Sequence, residues 1–191
     1  MIIFPTGLIE WSMIASELPP EKAVKFQRFV RRFTLAYWFD GLKVTHLDKH
    51  TIEGYDALFS VFLSFTAYEL LWEGILSYYD EEILIEEKQN FSIENPALAN
   101  RLKHDKKLEA FLHMEDKTNP LTQKVELFFN SDNADFLPLL AAIKDKVMHG
   151  YFSIGTMKAE SKEHSVDIWD ASRELLVVTE DLFHNFVLME T

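Results

Sequence analysis

The sequence predicts an all-α fold, a single-domain helical bundle across residues 1–191 with one long central helix and several short ones. Three observations predict it. Apolar residues recur at three- and four-residue spacings in successive segments, the period of a helical face turned toward a core. Gly and Pro number only six each, so long turn-rich or disordered segments are not expected. Asn95-Pro96 and Asn119-Pro120 each place an N-cap residue ahead of a Pro at the first helical position, a fairly specific helix start. The length is enough for a sizeable core without disulfides or metal.

An apolar N-terminal arm ends at Pro19-Pro20, which suits a helix start, and Val24, Phe29, Phe33, Ala36 and Tyr37 then repeat at helical spacing as far as Asp40, before Gly41. Leu42 to Thr51 reads as a connector. It holds His46 and His50 four residues apart, but two His with only Asp48 nearby do not complete a metal site. The most apolar stretch runs from Glu53 to Tyr79, with Leu58, Val61, Leu63, Phe65, Leu70 and Ile75. Ser60, Ser64 and Thr66 dilute it and Glu69 and Glu73 end it, too soon for a membrane span of roughly 20 residues. It is predicted as the central helix. Glu69 and Glu73 share a face, but a di-metal bundle needs Glu-x-x-His pairs and position 72 is Trp.

Asp80 to Glu87 is acidic and reads as a short helix or a bend. Short helices are expected over 96–111 and 120–129, with His104-Asp105 at the surface, since the other ligands of an HD hydrolase are missing. Asn130 to Asn133 is turn-rich, and a helix follows from Ala134 to His149, stopped by Gly150. A long loop, 150–164, then leads to a final helix, Val166 to Met189, which Ser165 can cap and whose stripe contains Ile168, Leu175, Leu176, Val178, Leu182, Phe183 and Phe186.

The formal net charge is −12, which opposes non-specific attraction to nucleic acid, so any such contact must be local. Two basic clusters, Lys22, Lys25, Arg28, Arg31 and Arg32, and Arg101, Lys103, Lys106 and Lys107, read as solvated helix faces. There is no Cys, which rules out thiolate chemistry and fits a reducing compartment. The N-terminus lacks a basic region and carries Glu10, unlike a signal peptide, so a cytoplasmic protein is expected.

The helix ending at His149 is the one place where a motif with chemistry meets a structural boundary. At about 100° per residue, Phe136, Leu139, Leu140, Ile143 and Val147 form its core face, and Ala141, Ala142, Asp145, Met148 and His149 fall on the opposite side. That second face is predicted as a dimer interface, since its small residues allow close helix approach. Asp145 and His149 are one turn apart, where a carboxylate can orient an imidazole able to move protons near neutrality. Lys144 lies about 140° around from His149, and its long stem is expected to bring the ammonium toward the same cleft. The bland alternative is that Lys144, Lys146 and His149 simply complement the helix dipole and that Gly150 closes the helix.

The run Lys144-Asp145-x-x-x-His149-Gly150 resembles the Arg, polar residue, three residues, His motif of HEPN domains. The context is similar too: a long apolar helix carrying Glu69 precedes the motif and another helix follows it, so the resemblance covers about residues 53–189, with helix 20–40 packed on that core. The resemblance implies a homodimer in which paired motifs build one cleft for metal-independent RNA cleavage, without a cofactor, as in defence or toxin–antitoxin systems. Carried across, His149 transfers the proton, Asp145 orients it, position 144 supplies the cation for phosphate, and Glu69 is the polar residue of the preceding helix. Lys144 stands where the family has Arg and cannot reproduce the bidentate fork of a guanidinium. A non-catalytic module that binds RNA or a protein partner therefore stays open beside the enzyme.

Overall fold

A computed structural model describes residues 19–75, 91–113, 117–149 and 162–187 of the chain, with backbone alone at 75, 162–164, 186 and 187. The expected N-terminal arm, the acidic stretch 80–87, the Gly150 stop and most of the loop that follows it lie outside these residues. The described residues form an all-α bundle: α1 (Pro20–Trp38), α2 (Lys49–Leu70), α3 (Pro96–His104), α4 (Lys106–Leu112), α5 (Pro120–Asn130), α6 (Leu137–Met148) and α7 (Lys162–Val187). An isolated antiparallel bridge, Glu94 to Asp135, is the one β-type pairing among them.

α2 is the central helix, and it packs against α1, α6 and α7. It begins earlier than the composition suggests, because Asp48 acts as N-cap, taking the Thr51 N–H at 3.0 Å and the Thr51 hydroxyl at 2.6 Å. His50 thus sits in the first turn rather than in a connector. The α-helix ends at Leu70 and passes into one π-helical turn, Leu71–Ile75. Residues 76–79 of the expected central helix lie outside the described set.

α1 and α2 run antiparallel, as Lys25 abuts Gly74, Arg32 lies 5.8 Å over the Phe62 ring and Asp56 accepts the Leu42 N–H at 2.6 Å. Gly41 makes the turn with φ +114, and a Cβ there would stand 2.8 Å from Asp56 Oδ2. The core side of α1 is Phe26, Phe29, Val30, Phe33 and Ala36, while Val24, expected inside, is 48% exposed. Phe183 of α7 meets Phe26 at 5.7 Å and Phe29 at 5.5 Å, so the Phe excess of the composition becomes an α1–α7 aromatic layer.

α2 and α7 pack against each other and include small or hydroxylated residues among those they bury: Ala57, Ser60, Ser64, Ala171, Ser172 and Thr179. Ser60 and Ser172 hydrogen-bond each other, and Ser64, Ser172 and Thr179 each donate to a carbonyl of their own helix at 2.6–2.7 Å. Each hydroxyl thus keeps a partner in the interior, and two long helices approach closely. α7 starts at Lys162, so Ser165 is a buried residue inside its first turns rather than the expected cap. The stripe holds at Ile168, Leu175, Leu176 and Phe183, with Val178 and Leu182 partly buried.

The single short helix expected over 96–111 is two helices broken at Asp105. This residue is buried, not at the surface as expected, because its carboxylate accepts the N–H groups of Lys107 and Leu108, both at 3.0 Å, as N-cap of α4. His104 is exposed, as expected. The second basic cluster is more than a solvated face. Arg101 reaches Asp167 at 2.6 Å and Asp170 at 3.2 Å, tying α3 to α7, and Lys103 donates to the Ser131 carbonyl at 2.7 Å.

Candidate functional site

The site predicted from sequence lies at the end of α6, and the start of that helix sets its geometry. The Asp135 carboxylate accepts the N–H of Leu137 and that of Ile93, each at 3.0 Å, and Phe136 is fully buried beside it. With Pro138 in the first turn, the direction and rotation of α6 are fixed there. Leu139, Leu140 and Ile143 are fully buried and Val147 is packed against the core, as the helical wheel requires. Ala142 is fully buried too, which removes it from the outward face on which the wheel placed it.

The four candidate residues form two pairs. Lys144 Nζ donates to Glu69 Oε1 at 3.0 Å, linking the C-terminal turns of α6 and α2, with the side chains 22% and 31% exposed. His149 Nε2 stands 3.4 Å from Asp145 Oδ1, and these side chains are 64% and 48% exposed. The sequence expectation brought the Lys144 ammonium toward the His149 side. It instead faces α2, because the 140° between the two residues turns Lys144 into the groove against the neighbouring helix. An ammonium has three N–H donors, and Glu69 occupies one of them.

His149 ends the helix, its N–H reaching the Asp145 carbonyl at 3.1 Å. Met148 beside it is 59% exposed, so Asp145, Met148 and His149 make an accessible face, with Ala141 partly buried against the core at its edge. Lys146, the other cation of the last turns, donates to the His113 carbonyl at 3.3 Å and lies 5.8 Å from the Phe111 ring centroid. Both lysines are therefore structural as well as complementary to the helix dipole.

Next to Glu69, Tyr68, Trp72 and Phe91 form an aromatic group with ring centroids 5.6–6.1 Å apart. Burial raises the Tyr68 phenol pKa above its ordinary value, and the nearby Asp135 and Glu69 carboxylates add to this. Glu73, in the π-helical turn that follows α2, is exposed.

Two cavities lie elsewhere. One, of about 330 Å³, is bounded by Glu53, Asp56, Ser165, Val166 and Trp169 between α2 and α7. The other, of about 310 Å³, lies between α4 and α5, with Glu109, His113, Lys117 and Glu126 among its walls. Neither includes a candidate residue. His50 pairs with Glu53 at 3.4 Å, and no three His, Cys, Asp or Glu among the described residues are grouped to hold a metal ion. No helix among the described residues is long and apolar enough to cross a membrane.

No protein-family model, curated protein or solved structure matches this chain. An imidazole with a carboxylate neighbour on an accessible helix end can move a proton. On the face toward α2, an ammonium held by a carboxylate has two donors left for a phosphate, though its charge is already matched.

Proposed function

We propose that this chain is a HEPN-like, RNA-directed protein that acts as a homodimer, with the ends of two α6 helices forming one metal-independent ribonuclease site. The observation that supports this reading is the accessible His149–Asp145 pair at the end of α6, with the Glu69-held Lys144 on the adjoining face of the same helix. In this scheme Asp145 orients the His149 ring through Nε2, and the other ring nitrogen, Nδ1, takes the proton from a ribose 2′-hydroxyl. The oxygen attacks the adjacent phosphorus, the bond to the 5′-oxygen breaks, and His149 of the partner subunit, protonated, gives that oxygen its proton. The two N–H groups of Lys144 not used by Glu69 face the charge that builds on the phosphoryl oxygens. The Ala141, Asp145, Met148 and His149 face joins the two copies.

A second reading, a non-catalytic helical interaction module, is favoured by the ion pair itself, since Glu69 neutralises the one cation the motif offers to phosphate. Incubating the purified chain with mixed RNA in EDTA separates the two. Cleavage that disappears in His149→Ala supports the enzyme; no cleavage by wild type, or equal cleavage by the variant, removes it and leaves the module. Light scattering on wild type and Ala141→Arg tests the dimer face on its own.

A further inference from the structure

Among the described residues, one face of α1 is left uncovered. Glu21, Val24, Arg28, Arg31, Leu35 and Trp38 are all exposed, Leu35 by 52% and Trp38 by 68%. Read along the helix, these residues are separated by alternating steps of three and four, the a/d spacing with which one helix meets another. The opposite side of α1 already supplies its core contacts through Phe26, Phe29, Val30 and Phe33, so this is a second seam. Its apolar members stand at the two ends, Val24 and Leu35 being about 16 Å apart along the axis, and Arg28 and Arg31 lie between them. Neither arginine has an ion pair among the described residues. α1 carries five cations against the single acid Glu21, in a chain whose net charge is −12.

The charge pattern selects the occupant. Two copies meeting seam to seam would set Arg28 against itself in a parallel pairing and against Arg31 in an antiparallel one, which places like charges at the centre of the contact. A phosphate polymer would satisfy the arginines and leave Val24 and Leu35 in water. A lipid surface favours a continuous apolar face, and here two cations interrupt it. We propose that the outer seam of α1 docks one helix of a different protein, with carboxylates opposite Arg28 and Arg31 and aliphatic side chains against Val24, Leu35 and Trp38.

The test uses the full chain and a labelled synthetic helix of about three heptads, with Glu at its two central seam positions and Leu at the outer ones, followed by fluorescence anisotropy. The expected result is saturable binding that weakens about tenfold or more in Arg28→Glu/Arg31→Glu. A Lys-for-Glu version of the helix should prefer that variant over wild type. Trp38→Ala should also weaken binding of the Glu helix. Circular dichroism and light scattering should show the variants folded and unchanged in oligomeric state, since these side chains are at the surface. The proposal is overturned if the Glu helix does not bind, or binds the charge-reversed variant equally well. It is also overturned if single-stranded RNA or phosphatidylserine vesicles bind through Arg28 and Arg31 while the helix does not.

Discussion

The Glu69–Lys144 pair allows a quantitative test of how α6 is held against α2. At 3.0 Å, two unit charges attract by about 5.5 kcal/mol at an effective dielectric constant of about 20. Desolvation of two side chains that are each mostly buried opposes most of this. Exposed pairs are worth roughly 0.2–1 kcal/mol, whereas breaking a fully buried pair costs roughly 3–5 kcal/mol. With 22% and 31% exposure, a coupling energy of about 1 kcal/mol is expected. The measurement is a double-mutant cycle by urea unfolding on wild type, Glu69→Gln, Lys144→Met and the double variant. The Met keeps the length of the stem and the Gln keeps an acceptor, so each single change removes charge with little change of shape. Partial burial limits screening, and much of the coupling should persist in 1 M salt. A coupling below about 0.3 kcal/mol would refute the reasoning, because it would reduce the contact to an ordinary solvated pair.

Phe183→Ala deletes a fully buried ring packed on Phe26 and Phe29, and chemical unfolding should show a loss of about 3–5 kcal/mol. Asp105→Ala leaves two N–H groups of the first turn of α4 without their carboxylate acceptor; a loss of about 1–2 kcal/mol is expected in the same assay, with little change in overall helicity. Burial raises the Asp56 pKa above its ordinary value of 3.8, against the hydrogen bond from Leu42 that lowers it. The folded state then holds this proton more tightly than the unfolded chain, so the Asp56 contribution favours folding in acid. It is lost as pH rises from the unfolded pKa through the raised folded value. Asp56→Asn, which keeps a carbonyl acceptor for the Leu42 N–H, should flatten that part of the stability–pH profile, and an unchanged profile would show that Asp56 titrates alike in both states.

The all-α class and the core face of α6 were legible because periodicity reports how residues are arranged around their own axis. Phe136, Leu139, Leu140 and Ile143 are inside for that reason. Which neighbour a residue meets is set by topology, and this is where the readings diverge from the structure. The helical wheel places Ala142 on the outer face, but a helix flanked by several others has a buried arc wide enough to include it. Lys144 was expected near His149 and instead meets Glu69, a contact between residues 75 positions apart that no local pattern encodes. Val24, expected on the core face, is exposed while Phe26 is buried, because a two-residue shift on α1 crosses the boundary between its faces. Asp105 followed a His and looked like surface charge, although an Asp ahead of Lys-Lys-Leu-Glu is also an N-cap signal, and that signal could have found it.

The Lys144–Glu69 contact also acts as a registration mark. α6 takes its rotation from Asp135, nine residues before Lys144, and each residue of slip turns the helix by about 100°. A slip of one position would present Asp145 rather than Lys144 to Glu69 and replace an attraction by a repulsion between carboxylates. The sign of the charge at the end of α2 thus proofreads an alignment set at the far end of α6, and it keeps the Asp145–His149 side turned outward.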